Sequence, residues 1–192
     1  MEHVLSSDRP VADFGLEDFD AVVELHRPRV LRFILASLRD RDTAENLTQD
    51  CFVRAFKARA HFRGDAAVST WLLQIATNLI RSHEASQRLK FWRRALRSTD
   101  ASGLGDWMPD DQQASPEANA MARQQLEAVW RVAANLPERQ RTVFLLRFVE
   151  DMELLEIASV TGLREGTVKA HLFRALQSVR AGLEIRVNGR KS

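Results

Sequence analysis

Apolar residues recur every three or four positions along almost the whole chain, and no stretch alternates with a period of two between hairpin turns. That spacing is the period of the α-helix, so the pattern predicts an all-α protein. A first helix is expected from about Leu16 to Leu38, with Phe19, Val22, Val23, Val30, Phe33 and Ile34 on its apolar side and Pro28 predicted to kink or interrupt it. A second begins after Asp42, which with Glu45 three residues on makes an acidic capping box, and continues to about Ala60. Past a break at Arg63-Gly64-Asp65, Ser69-Thr70 opens a third, from Trp71 to about Phe91, carrying Leu72, Ile75, Ala76, Leu79 and Ile80.

Between Leu96 and Ser115 the helical period lapses into Ser, Asp and Gly, with Gly103, Gly105 and Pro109, which is the composition of a flexible linker. Trp107 and Met108 are an apolar exception within it. Helix resumes at Ser115-Pro116, an N-cap followed by proline at the first helical position, and lasts to Leu136-Pro137. Three more helices follow, at about Glu138 to Val149, Glu153 to Val160 and Glu165 to Arg186. The pattern therefore predicts two small helical domains: a three-helix bundle over 1–95, a linker over 96–115, and a four-helix unit over 116–192.

The segment Leu154 to Phe173 carries the most specific local signal, that of a helix-turn-helix. Two helices that cross steeply over a tight turn need a small residue where they approach, and Ala158 supplies it. Gly162 suits a turn position with positive φ, while Ile157, Leu163, Val168 and Leu172 fall where the helices must touch. Thr167, Lys169, Ala170, His171 and Arg174 then lie at the start and on the exposed sides of the second helix, where a recognition helix meets base edges and phosphates. The competing reading is a plain helical hairpin in a structural bundle.

Charge adds to this. The 192 residues are 45% hydrophobic and 28% charged with a net charge of +2, so the chain is globular in composition and no polycation. The charges are nevertheless segregated: the chain before Leu25 is acidic, while Arg81, Arg88, Lys90, Arg93, Arg94 and Arg97 form one basic block and Arg164, Lys169, Arg174, Arg180, Arg186, Arg190 and Lys191 a second. Two such blocks on helices suit two contacts with DNA, or are solvated helix faces. The single cysteine, Cys51, has no internal disulfide partner and reads as an inert thiol in a reducing compartment. With no secretory leader and no apolar run of about 18–20 residues, a soluble cytoplasmic protein without membrane insertion is expected. The five histidines are scattered, no pair has metal-ligand spacing and no glycine-rich phosphate loop precedes a helix, so no catalytic residue, metal or cofactor is expected.

Laid out in order, these residues resemble the extracytoplasmic-function (ECF) subfamily of bacterial RNA polymerase sigma factors, from about Asp18 to Arg180. The segments Thr43 to Phe56 and Phe62-Arg63-Gly64 through Ser69-Thr70-Trp71-Leu72, Ile75-Ala76 and Asn78 look like the family's region 2. Leu136-Pro137-Glu138-Arg139-Gln140-Arg141 through Leu145-Leu146-Arg147, then Glu156-Ile157-Ala158 and Gly166-Thr167-Val168-Lys169, look like region 4. Nothing in the chain resembles region 3.

The resemblance implies a promoter-specificity factor for core polymerase, with partners in the β′ coiled coil and β flap, in promoter DNA, and in an inhibitory anti-sigma factor, often membrane-bound. It implies contact with β′ through Leu47, Gln49, Asp50, Phe52 and Arg54, although Leu47 and Phe52 serve equally as core residues. It implies reading of the minus-10 element by the loop from His61 to Ser69, with Arg63, Ser69, Thr70 and Trp71, and by Asn78, with Arg81 and Arg88 tracking phosphates; Trp71 is either a stacking platform or a core residue. The minus-35 element falls to Arg147, Arg164, Thr167, Lys169, Ala170, His171 and Arg174. Ala170-His171 and Leu154-Leu155 depart from the common pattern, so promoter sequence does not transfer. About twenty linker residues reach roughly 65 Å, close to the roughly 70 Å of two duplex turns, which allows both elements to be held at once. A helix-turn-helix regulator with a sensing or dimerising N-terminal domain is the alternative, but it has no use for the Gln49-Asp50 helix and the Arg63 to Asn78 block.

Overall fold

In the computed structural model, residues 18–95 and 128–188 are described. The first helix, α1 (Phe19–Leu38), begins where Asp18 Oδ1 accepts a hydrogen bond from the Ala21 N–H, satisfying one of the donors that a helix start leaves free. It passes through Pro28 without interruption. Proline there forgoes one main-chain bond, and the buried Val22, Val30, Phe33 and Ile34 on either side hold the helix in place. The end is set by Arg39, whose left-handed backbone (φ 61°) turns its N–H back to the Leu35 carbonyl at 2.8 Å.

Helix α2 (Arg41–Ala58) starts two residues earlier than the sequence pattern suggests, because Asp40 and not Asp42 is the cap. Asp40 Oδ1 accepts from the Asp42 and Thr43 N–H groups and Oδ2 from the Thr43 hydroxyl at 2.6 Å, and these bonds hold the Asp40 carboxyl below the usual range. Glu45 is thereby left to pair with Arg41 and makes no capping box. The helix stops at Ala58 and tightens into a 3-10 turn, Arg59–His61. Helix α3 (Val68–Ala95) opens at Val68. Val68 is 4% exposed and anchors the helix start in the core, which places Ser69 and Thr70 inside the first turn.

The linker over 96–115 and the helix start at Ser115-Pro116 lie outside the described residues. Helical residues 128–133 (α4) lead through a turn to α5 (Glu138–Phe148), then α6 (Leu154–Thr161) and α7 (Glu165–Asn188). Among the described residues there is no strand, and no helix is long and apolar enough to cross a membrane. The fold is all-α, with α1–α3 in one unit and α4–α7 in the other.

The two units share a core. Five consecutive residues of α1, Phe33 to Ser37, are buried, which a helix with one covered face cannot achieve. Phe33 and Ile34 belong with Leu72, Leu73 and Ala76 in the first bundle, while Ala36 lies beside Trp130, Ala133 and Leu145 of the second. One apolar cluster accordingly runs from α1–α3 into Val143, Leu145, Leu146, Met152, Ile157, Val160 and Val168. A smaller one, Ala133, Leu136, Phe144, Ala175 and Val179, binds α4 and α5 to α7.

Candidate nucleic-acid interface

The helix-turn-helix has the geometry its residues require. At the end of α6, Gly162 takes φ 70° and its N–H bonds the Ala158 carbonyl at 2.9 Å. A Cβ there would meet nothing within 4 Å, so backbone conformation and not crowding makes glycine the fit. Thr161 Oγ1 donates to Ile157 O and accepts from the Leu163 N–H, tying the turn down. Ile157, Val160 and Val168 are buried, and Ala158, Leu163 and Leu172 pack half-buried against them. At the start of α6 the Glu153 N–H donates to Glu156 Oε2 at 2.8 Å.

With α7 seated in this way, Lys169, Ala170 and Arg174 are exposed, Arg164 is exposed just before the helix, and Thr167 is half-buried. Lys169 pairs with Glu165 one turn back at 2.6 Å, a surface contact that a phosphate can replace at small cost. Arg147 is more engaged, donating to the Met152 carbonyl and to Glu153. His171 is half-buried, with Nδ1 enclosed and no hydrogen-bond partner among the described residues. Burial, then Arg174 and Arg139, lowers its pKa, so His171 presents a neutral ring and not a cation.

The loop before α3 forms a second concave surface. Phe62 and Trp71 pack ring against ring at 4.8 Å, half-buried, at the floor of a cleft of about 370 Å³. His61, Arg63, Asp65 and Thr70 line it from the loop and helix start, Gln74 from the next turn of α3, and Ser159 and Val160 from α6. Trp71 packs half-buried against the core and also lines the cleft. Ser69 is half-buried beside it. Asn78 is exposed one turn beyond Gln74, roughly 6 Å along the helix, and does not line the cleft; its Oδ1 accepts from Arg81 at 2.8 Å. Arg88 is exposed nearly three turns beyond Asn78 and pairs with Glu138 of α5 at 2.6 Å. Gln74, Ser159 and Val160 are cleft residues that sequence reasoning missed: a polar position between Leu73 and Ile75 reads as a solvated face, and nothing local brings α6 to α3.

On α2, Gln49, Asp50 and Arg54 are exposed, Leu47 is half-buried, and Phe52 is only 7% exposed, with its ring edge-on to Phe19. Phe52 is a core residue. The apolar surface beside Gln49 and Asp50 comes instead from Val53 and Phe56, 50% and 47% exposed, with the Arg59 guanidinium 3.6 Å above the Phe56 ring. Their signal was the spacing Gln49, Val53, Phe56, one face of a helix opposite the buried Thr48, Cys51 and Ala55. Among the described residues no cluster of histidine, cysteine or carboxylate could hold a metal ion.

Comparison with known proteins agrees with this geometry. Residues 22–90 match the Sigma-70 region 2 family and residues 126–179 the Sigma-70, region 4 family. The RNA polymerase sigma-H factor of Pseudomonas aeruginosa is 33% identical over 168 residues, covering 86% of each chain. The ECF RNA polymerase sigma factor SigW of Bacillus subtilis is 25% identical over 166 residues, 86% of this chain and 88% of its own. In fold, the chain is similar to the sigma factor RpoE from Bartonella quintana, solved in complex with the anti-sigma factor NepR, with a TM-score of 0.67 at 22% identity over 88% of this chain and 98% of that one. The helix-turn-helix, the loop-and-helix cleft and the exposed α2 face thus stand together on one chain because it belongs to the extracytoplasmic-function subfamily of sigma-70 RNA polymerase sigma factors.

Proposed function

We propose that this chain binds core RNA polymerase, brings it to a defined set of promoters and helps open the minus-10 element, acting in the cytoplasm under the control of an anti-sigma factor. The observation that carries the reading is the presence on one chain of three surfaces: the α2 face, the loop and helix start at the head of α3, and the helix-turn-helix. A helix-turn-helix regulator needs only the last.

Contact with the β′ coiled coil falls to Gln49, Asp50 and Arg54, with Leu47, Val53 and Phe56 as the apolar part; polar groups set the register while the apolar side chains supply the buried area. In the minus-10 element, a base that leaves the stack costs a few kcal/mol, and the cleft offers what offsets it: the Phe62–Trp71 ring pair for stacking and Arg63, Thr70 and Gln74 for edge hydrogen bonds. Asn78, Ser69, Arg81 and Arg88 follow the strand along α3. Arg164, Thr167, Lys169, Ala170, His171 and Arg174 form the minus-35 surface, with Arg147 behind it and the β flap reached from the same domain. The domain limits proposed are 1–95, 96–115 and 116–192. No catalytic step is assigned to any residue.

Run-off transcription with purified core polymerase on genomic fragments tests this. Promoter-specific transcripts that depend on the added chain are expected; DNA binding with neither transcripts nor a stable complex with core would leave only a regulator.

A further inference from the structure

Arg164 just before α7, and Thr167, His171 and Arg174 within it, follow one another at three- and four-residue steps, so they form one stripe along the helix. Both ends of the stripe are cations. From Arg164 to Arg174 it is about 15 Å long, slightly more than the roughly 12 Å width of the major groove. Cations so spaced suit phosphates on the two rims of the groove, which leaves Thr167 and His171 over the base edges between them. Ala170, exposed beside His171, brings no hydrogen-bonding group.

What His171 presents there follows from how its ring is seated. The side chain is half-buried, and of the two ring nitrogens only Nδ1 is enclosed, with no hydrogen-bond partner among the described residues. Burial, together with Arg174 of α7 and Arg139 of α5, keeps the ring neutral. A neutral imidazole has one proton to place. On Nδ1 that N–H would be stranded without an acceptor in the positive field of two arginines, where a lone pair is favoured instead. The proton therefore sits on Nε2, which faces the surface as a single donor. A single donor reads less than a guanidinium does. Arginine spans O6 and N7 of guanine and so selects that base, whereas one N–H aimed at N7 finds an acceptor on guanine and adenine alike. A pyrimidine presents C5 at that place, with a hydrogen or a methyl group, and offers the donor nothing.

We propose that His171 is a specificity-determining residue of the minus-35 surface: it donates from Nε2 to N7 of a purine, so that one position of the element admits adenine and guanine equally and rejects pyrimidines. This rests on the minus-35 role proposed for α7 and names what one of its residues reads.

The test uses the full chain with core polymerase on a promoter that it transcribes, with the minus-35 element randomised. DNA retained by the polymerase is sequenced against the starting pool for wild type, His171→Ala, His171→Arg and His171→Gln. Wild type should show one position where adenine and guanine are enriched alike, each roughly tenfold over either pyrimidine, the effect of one hydrogen bond. His171→Ala should flatten that position alone, and the preferences kept elsewhere in the element show that the variant is folded. His171→Arg should narrow the position to guanine and His171→Gln to adenine, whose N6 and N7 suit the amide, each by roughly tenfold. On a fixed promoter His171→Ala should leave the slope of log affinity against log salt unchanged, since no phosphate contact is lost. If His171→Ala alters no position, or weakens all sequences alike and lowers that slope by about 1, the residue reads no base and the proposal is refuted. If wild type enriches nothing anywhere in the element, it is the minus-35 role of α7 that falls, and the proposal with it.

Discussion

Glu84 offers a quantitative test of how the two units meet. Its side chain is 17% exposed between α3 and α5, with Arg141 on one carboxylate oxygen and Glu138, itself held by Arg88, close by. Burial pushes its pKa up, Arg141 opposes and Glu138 adds to the rise, leaving it at about 7 instead of near 4.5. The folded protein therefore holds this proton more tightly than the unfolded chain. The resulting stability is fully present below about pH 4.5 and is lost as pH rises through about 7, worth on the order of 3 kcal/mol across that window. Between pH 8 and pH 6 the gain is about 1 kcal/mol. Glu84→Gln, which cannot titrate, should lack it. Urea unfolding of both proteins at pH 8, 7 and 6 measures this as a difference of differences. The opposing contributions of His26 and His171, whose lowered pKa values cost stability as pH falls, cancel in that comparison. Parallel profiles for wild type and Glu84→Gln would refute the placement of a strained carboxyl at this junction.

Other outcomes follow from single residues. Cys51 is buried beside the Leu72 carbonyl and its thiol is pushed up to about 12 by burial, so native protein should not react with a thiol reagent at pH 8, whereas unfolded protein should titrate one thiol. Gly162→Ala should cost about 1–2 kcal/mol in urea unfolding, since only the left-handed backbone and no neighbouring atom opposes the new methyl. Val53→Asp places a charge in the exposed apolar part of α2; it should weaken binding to core polymerase at least tenfold in a competition assay while leaving the melting temperature within about a degree of wild type. Lys169→Ala should weaken binding to minus-35 duplexes about equally for all sequences and lower the slope of log affinity against log salt by about 1.

How much of this was legible in the chain depended on the range of the interaction concerned. The all-α class, the α5, α6 and α7 helices and the turn at Gly162 are set by residues a few positions apart, and the spacing of Ala158, Gly162, Leu163 and Val168 was enough to specify them. Local competition blurred the edges: Asp40 and Asp42 are both sound caps by composition, and Asp40 prevails because Thr43 lies where its carboxylate can take both the hydroxyl and the N–H. The face a residue shows was harder to read. Phe52 and Phe56 look alike in sequence and both set a ring edge-on to Phe19, at 6.5 and 5.3 Å, yet Phe52 is 7% exposed and Phe56 47%, because the way α1 and α3 pack on α2 decides which side is covered. The contact of Gln74 with the Ser159 carbonyl exists only because α6 rests on α3. The pairing of Arg29 with Glu150 spans 121 positions and has no local signature. Sequence by itself determined the helices and their turns, because those bonds are made within a few residues. Which faces meet, and that the two units close on each other, was decided only by the tertiary structure, where desolvation gives each buried charge its one available partner.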